Sequence, residues 1–504
     1  MAQMRFWQDR GLLILSAMAL FVVVLHTLTN GQYGFHRDEL ATLDDAGRLA
    51  RGYVAYPPLT PLIARLGLEL FGPAPAGIRL FAALAQALAL ILGGLMAREM
   101  GGGRWAQIMA GAAVAIAPVS VGAGFLFQYV SFDYLWWVLL AYLLIRLLKS
   151  ENPRWWIAIG AVAGVAMMTK YSILFLLTGL LVGVLLTPAR RYLRSGWLWA
   201  GIGVSLLIWL PNLIWQVQHH FIYLDFIRHI HERDVRIGRT DHFLIGQFLI
   251  TASPFTVPFW IAGLRYYFVS GEGKRYRLIG WMFIATFLLF YAAKGRDYYM
   301  APAYPMLLAA GAVVAERWIA RLQPGRAFAV RSLAWSAIAV GGALAVALIL
   351  PISPINSSWW KAMDKWNDSF REEVGWQDLT FTVAAIRDSL PEADRQHLGI
   401  LAGNYGEAGA IDLYGPAYGL PQAISGIDSY WEHGYGNPPP ETLIVVGLSR
   451  DFLERHFESC QLAAHNTNSH DVLNEETKDH PDIFVCRRLR GSWSEFWKNF
   501  QYFG

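Results

Sequence analysis

The sequence predicts a polytopic α-helical membrane protein with a small α/β domain at its C-terminal end. Three observations carry this reading. Of 504 residues, 55% are hydrophobic and only 16% are charged, whereas a soluble chain carries about 25% charged residues. The apolar residues gather into runs long enough to cross a bilayer, which takes about 20 residues per helix. Beyond residue 350 the character changes, and Gly/Asn/Pro turns separate short apolar runs.

The first run, from Gly11 to about Leu28, follows MAQMRFWQDR. It resembles a signal sequence, but no small-residue cleavage site follows it cleanly, so a retained first span is expected. About eleven spans are expected in all. They cover roughly 11–29, 77–97, 105–124, 129–148, 155–169, 171–187, 197–214, 243–264, 278–293, 300–320 and 332–350. Lys and Arg collect in alternate loops: Arg98 and Arg104; Arg146, Lys149 and Arg154; Arg190, Arg191 and Arg194; Lys274, Arg275 and Arg277; Arg317, Arg321 and Arg326. The hairpin Pro118–Phe127 has none. Basic loops stay in the cytoplasm, so the N-terminus is expected inside and the C-terminal domain outside. The net charge is only +4, with basic residues at the ends of apolar runs. No nucleic-acid partner is expected from that pattern. No transporter-type repeat, low-complexity tract or coiled coil is visible.

The domain boundary is expected at residue 350, giving a transmembrane domain over 1–350 and a non-cytoplasmic α/β domain over 351–504. In the latter, Leu398–Ala402, Thr442–Gly447 and Ile483–Val485 read as strands. Asp378–Ser389 and Asp451–Glu458 read as helices. About 150 residues suffice for an independent core. The two cysteines, Cys460 and Cys486, both fall here. An even count in an oxidising compartment predicts one disulfide, against two buried thiols.

The stretch His36–Leu70 is crowded with charge directly after the first span. Asp38–Arg51 reads as a short helix with Leu40, Leu43, Ala46 or Gly47, and Ala50 on one face, and Gly52 as its cap. Pro57-Pro58 starts a second helix with a stripe of Leu59, Leu62, Ile63, Leu66 and Leu70. Both are too short and too polar to span, and should lie in the interface plane. Asp38 and Glu39 at a helix start can simply cap it and complement its dipole. A carboxylate at the wall of a half-buried cavity can also act as a general base. Asp133, four residues into an apolar run, is either a functional intramembrane acid or one side of a structural contact. His219, His220, His229, His231, Glu232 and Asp234 share one outer loop without a tight ligand spacing, so no metal is expected there.

Further residues carry a resemblance. The Asp38-Glu39 pair is followed by Gly52-Tyr53 and by Tyr56-Pro57-Pro58-Leu59. Phe132-Asp133 opens a span and Thr169-Lys170-Tyr171 ends one. Lys294 precedes Tyr298-Tyr299-Met300-Ala301-Pro302-Ala303-Tyr304-Pro305, and the tail contains Asn404-Tyr405-Gly406-Glu407-Ala408-Gly409-Ala410. Together these resemble the polyprenyl-phosphate-sugar glycosyltransferases of the C-type superfamily. The likeness is to the bacterial branch related to protein O-mannosyltransferases and the lipid A aminoarabinose transferase.

The resemblance implies the C-type fold and an inverting transferase without a cofactor. The donor would be a sugar on a polyprenyl phosphate, and the acceptor a glycolipid, lipid A, a glycan or a protein. The implied setting is the periplasmic face of a bacterial inner membrane, among membrane lipids. Asp38 is the implied base, with Glu39 and Asp133 as the other catalytic candidates. His36, Tyr56, Tyr171, Tyr298 and Tyr299 would line the cavity. Because the leaving group is a lipid phosphate, outer-leaflet cations are needed, and Lys170, Lys294 and Arg296 are the candidates. Each could instead snorkel to the headgroups. The aminoarabinose transferase has Lys before its Pro-Pro where this chain has Tyr56, so donor and acceptor are expected to differ. The rival readings are a lipid-linked-sugar flippase, which should show broken helices and symmetric halves, and a non-catalytic lipid-binding protein.

Overall fold

The computed structural model describes residues 10–504; residues 1–9, read above as the cytoplasmic end, lie outside the described residues. The chain is mostly helical with one five-stranded sheet. It forms two compact units.

The first unit comprises Met1–Asn30, Arg79–Gln218 and His231–Leu350. Among the described residues, six helices are long and apolar enough to cross a membrane. They are Arg10–Thr29, Pro75–Glu99, Tyr129–Ser150, Gly196–Gln218, Asp297–Ile319 and Pro324–Ile349. Three further pairs are bent by 65–105°, and counting each as one span gives up to nine. Two of the expected spans are shorter helices, Trp155–Met167 and Arg277–Ala292. The bends have a local cause. Pro118, Pro188 and Pro254 each open the segment after the break, where a proline cannot continue the preceding helix. Small residues let helices meet closely: a Cβ on Gly160 would stand 2.0 Å from the Gly201 carbonyl oxygen. Trp155–Met167 and Gly196–Gln218 therefore touch backbone to backbone, as membrane helices do when no hydrophobic force draws them together.

The second unit comprises Gly31–Ile78, His219–Ile230 and Pro351–Gly504. It thus takes in the loop after the first span as well as the tail, which a single boundary at residue 350 would separate. The reason is packing. A Cβ on Gly409 would lie 2.8 Å from the Leu40 backbone, and one on Gly406 would lie 2.9 Å from Arg37 Cβ. Glycine at both positions allows the helix Tyr405–Tyr414 to lie directly on the helix Arg37–Gly47.

The sheet runs in the order β2-β1-β3-β5-β4. Strand β1 (Leu398–Ala402) is parallel to β2 (Ala423–Ile424) and to β3 (Thr442–Val446). Strand β4 (Phe457–His465) and β3 both pair antiparallel with β5 (Asp482–Leu489). Leu401, Leu443, Val445, Phe457, Phe484 and Trp497 belong to its core. Cys460 and Cys486 are joined by a disulfide and stand opposite each other in β4 and β5. The expected helix Asp451–Glu458 ends earlier, as Arg450–His456. Cys460 therefore lies within a strand, not after a helix.

One other element departs from expectation. The first loop helix stops at Gly47 rather than near Gly52. The Tyr53 hydroxyl donates to the Asp45 carbonyl and accepts from the Ala50 amide, so a side chain closes the helix end early. The second helix, Leu59–Phe71, buries its small face of Thr60, Pro61, Ala64 and Gly67. Its leucine stripe faces outward, with Leu62, Leu66 and Leu70 about half exposed or more.

Candidate active site

Within the second unit, Asp38 sits in the first turn of Arg37–Gly47. His36 and Glu39 form a capping box around that turn. The His36 side chain accepts from the Asp38 amide, and the Glu39 carboxylate accepts from the His36 amide at 2.8 Å. Glu39 is fully buried in this role, whereas the Asp38 side chain is 43% exposed. The Asp-Glu pair is thus divided: Glu39 holds the helix start and Asp38 projects from it. Asp38 Oδ1 accepts a 2.9 Å hydrogen bond from the Tyr405 hydroxyl, and its Oδ2 stands 3.8 Å from His36 Nδ1.

Arg37 anchors the same turn. Its guanidinium pairs with Glu475 at 2.5 Å, with Glu476, and with Glu372 at 3.5 Å. It also lies under the Tyr405 ring, 5.8 Å from the centroid. Burial, then the neighbouring Asp38, pushes the Tyr405 hydroxyl well above the usual tyrosine range, so it remains a donor. Tyr56 is buried and donates to Asp45 at 2.6 Å, so its hydroxyl is committed to the helix rather than to an open cavity.

The first unit brings Asp133, Lys170, Tyr298 and Tyr299 together around a small cleft that Val119, Val130 and Tyr134 also line. Asp133 is buried in the helix Tyr129–Ser150. It accepts from the Ser172 hydroxyl at 2.7 Å and from the Trp137 indole at 3.0 Å. Lys170 Nζ lies over two aromatic faces, 4.4 Å from the Tyr299 centroid and 4.9 Å from that of Tyr129. Aromatic faces attract a cation while leaving its N–H groups available to a ligand. Tyr171 donates to Asn212 instead of facing that cleft.

Arg296 is committed elsewhere. Its guanidinium grips Asp234 at 2.6 and 2.9 Å and reaches the Tyr298 hydroxyl at 3.2 Å. Arg233 and Arg239 also lie 3.9 Å from Asp234. Lys294 is exposed, in a left-handed backbone conformation with φ +47°. Among the described residues, no group of three or more His, Cys, Asp or Glu side chains is placed to hold a metal ion.

Sequence reasoning gave no role to Tyr405, Ser172, Asp234 or the Glu372–Glu475–Glu476 set. Asn404-x-x-Glu407 is a capping-box signature and could have placed Tyr405 at a helix start. Nothing local signals its partner, 367 positions away.

A match to the dolichyl-phosphate-mannose-protein mannosyltransferase family covers residues 55–215. The lipid A galacturonosyltransferase RgtD of Rhizobium johnstonii is 27% identical over 290 residues. That match covers 55% of this chain and 59% of the relative, so it spans less than two thirds of the relative's length. ArnT from Cupriavidus metallidurans, solved with undecaprenyl phosphate bound, superposes with a TM-score of 0.56 at 16% identity, covering 94% of this chain and 97% of ArnT. The Archaeoglobus fulgidus oligosaccharyltransferase superposes with a TM-score of 0.54 at 13% identity, covering 86% and 68%. Family match, relative and shared fold agree with the sequence motifs: the chain is a multi-pass membrane protein with the fold of ArnT, and it resembles glycosyltransferases over part of its length.

Proposed function

We propose that this protein is an inverting glycosyltransferase that moves a sugar from a polyprenyl phosphate to a hydroxyl of a lipid acceptor. The periplasmic face of a bacterial inner membrane is the proposed setting, with the C-terminal domain on that side. The observation that carries the reading is Asp38, a half-exposed carboxylate held at a helix start by Tyr405. A glycan or a protein is a wider acceptor class that the same chemistry serves. The lipid acceptor is favoured because the galacturonosyltransferase relative acts on lipid A. The donor is favoured because ArnT binds undecaprenyl phosphate.

In the proposed reaction Asp38 takes the proton of the acceptor hydroxyl as its oxygen attacks the anomeric carbon. The bond from that carbon to the lipid phosphate oxygen breaks with the electron pair staying on the phosphate. One displacement inverts the centre. Lys170, seated on Tyr129 and Tyr299, stabilises the departing phosphate, with Lys294 as the second cation. Asp133 orients hydroxyls or tunes Lys170, and Arg296 braces the outer link through Asp234.

The test uses purified protein in vesicles containing lipid A and a panel of polyprenyl-phosphate-linked sugars. Wild-type protein should yield a glycosylated lipid with inverted anomeric configuration. Asp38→Asn should express normally and lose at least about a hundredfold in turnover, the low end for a lost general base. Normal turnover in that variant would remove Asp38 from the chemistry. Movement of the donor across the bilayer without transfer would instead identify a flippase.

A further inference from the structure

The segment Asn404–Ala410 begins directly against Asp38. Its first helical residue is Tyr405, whose hydroxyl gives Oδ1 of Asp38 its 2.9 Å hydrogen bond. The capping box fixes where this helix begins: Asn404 accepts from the Glu407 amide at 2.9 Å, and Glu407 accepts from the Gly403 and Asn404 amides at 3.0 and 3.1 Å. Gly406 and Gly409 fix how close it comes to the helix that bears Asp38.

The ring is clamped as well. Arg37 lies on one side of it, while the backbone at Gly504 lies close enough that a Cβ there would stand 3.0 Å from the ring. The Gly504 amide donates a hydrogen bond to the Asp428 carboxylate, and the Tyr502 hydroxyl donates to the Gly403 carbonyl. A ring gripped in this way fixes the phenol oxygen 2.9 Å from Oδ1 of Asp38, to which it donates.

We infer that Tyr405 is a positioning residue for the transferase reaction. Its hydrogen bond to Oδ1 sets the plane of the Asp38 carboxylate and so aims the carboxylate at the acceptor proton. This rests on Asp38 being the base. The charged and titratable groups around the pair are His36, Arg37 with its partners Glu372, Glu475 and Glu476, and Asp428. His36 faces Oδ2, and Arg37 is engaged by the glutamates.

The experiment compares wild type, Tyr405→Phe, Asp38→Asn and the double variant in the vesicle assay, with thermal midpoints recorded for each. Tyr405→Phe keeps the clamped ring and removes only the donor. Its kcat should fall about 10- to 100-fold, the range for losing a hydrogen bond to a charged group. KM should move little. In the Asp38→Asn background the same change should cost almost nothing, since Tyr405 acts through Asp38.

A fully active Tyr405→Phe beside an inactive Asp38→Asn would overturn the inference and leave the base intact. An active Asp38→Asn would instead overturn the base, and the inference with it. A loss in Tyr405→Phe matched by a fall in midpoint, or an equal loss in both backgrounds, would reduce Tyr405 to a packing residue and overturn the inference.

Discussion

Replacing Gly409 by alanine tests the contact on which the second unit depends. The new Cβ would meet the carbonyl carbon and oxygen of Leu40 at 2.8 Å and its Cβ at 2.9 Å, where 3.4–4 Å is ordinary contact. The obstacle is backbone, so no rotamer relieves it, and the two helices must part by about half an ångström or more. Overpacking of this sort costs about 1–3 kcal/mol. Alanine in a helix returns roughly 0.5–1 kcal/mol relative to glycine. A net loss of about 1–2 kcal/mol is expected. At about 2–4 °C per kcal/mol for a unit of this size, the midpoint should fall by about 2–8 °C.

Gly47→Ala supplies the control, because a Cβ there meets nothing within 4 Å. It should be neutral or stabilise by up to about 1 kcal/mol. The assay is tryptophan-monitored melting in detergent at one scan rate, followed by the transfer assay at low temperature. Activity of Gly409→Ala should fall by about tenfold or more, since small misplacements of a catalytic group are costly. If Gly409→Ala melts and turns over like Gly47→Ala, the close approach of these helices does not hold the unit together, and the reasoning fails.

Lys170→Ala should weaken donor binding and turnover by at least about tenfold while leaving the midpoint nearly unchanged, because a charged pair to phosphate is lost but the span end remains seated; unchanged donor affinity in a direct binding assay would make Lys170 a headgroup anchor. The second unit should also be more stable near pH 5 than near pH 9. Burial raises Asp44 to about 9, Asp45 and Glu407 to about 8 and Glu372 to about 7. Each binds a proton when folded that the unfolded chain has released above about pH 4–4.5. Stability therefore declines as pH rises through that window to the folded values, and a midpoint that rises from pH 5 to 9 would contradict this.

The membrane architecture was legible because hydropathy is a property of contiguous residues. Helices stand at the expected positions even where Pro118, Pro188 and Pro254 bend them. Asp133 stood out as a charge within an apolar run, where an intramembrane acid is costly. Strand β4 was not, because Phe457–His465 is an exposed edge strand without clean alternation. The stripe of Leu62, Leu66 and Leu70 was visible, but not which way it would face. Arg296 read as a phosphate ligand because Asp234, 62 positions earlier, could not be known as its partner. Tyr405 was missed for the same reason: its part depends on a contact between distant segments, which no local pattern encodes.

The outward leucines of Leu59–Phe71 have a consequence for what this second unit is as a material. A surface carrying Leu62, Leu66 and Leu70 at 47–61% exposure is adhesive toward hydrocarbon. Each leucine, already about half buried, gains roughly 1 kcal/mol more on leaving water, about half the value for full burial. Arg65 and Glu69 pair with each other on the same helix, adding a polar margin to that greasy strip. The unit is therefore amphiphilic in its own right. Proteolytic severing of the spans would yield a fragment that sediments with vesicles rather than one that dissolves.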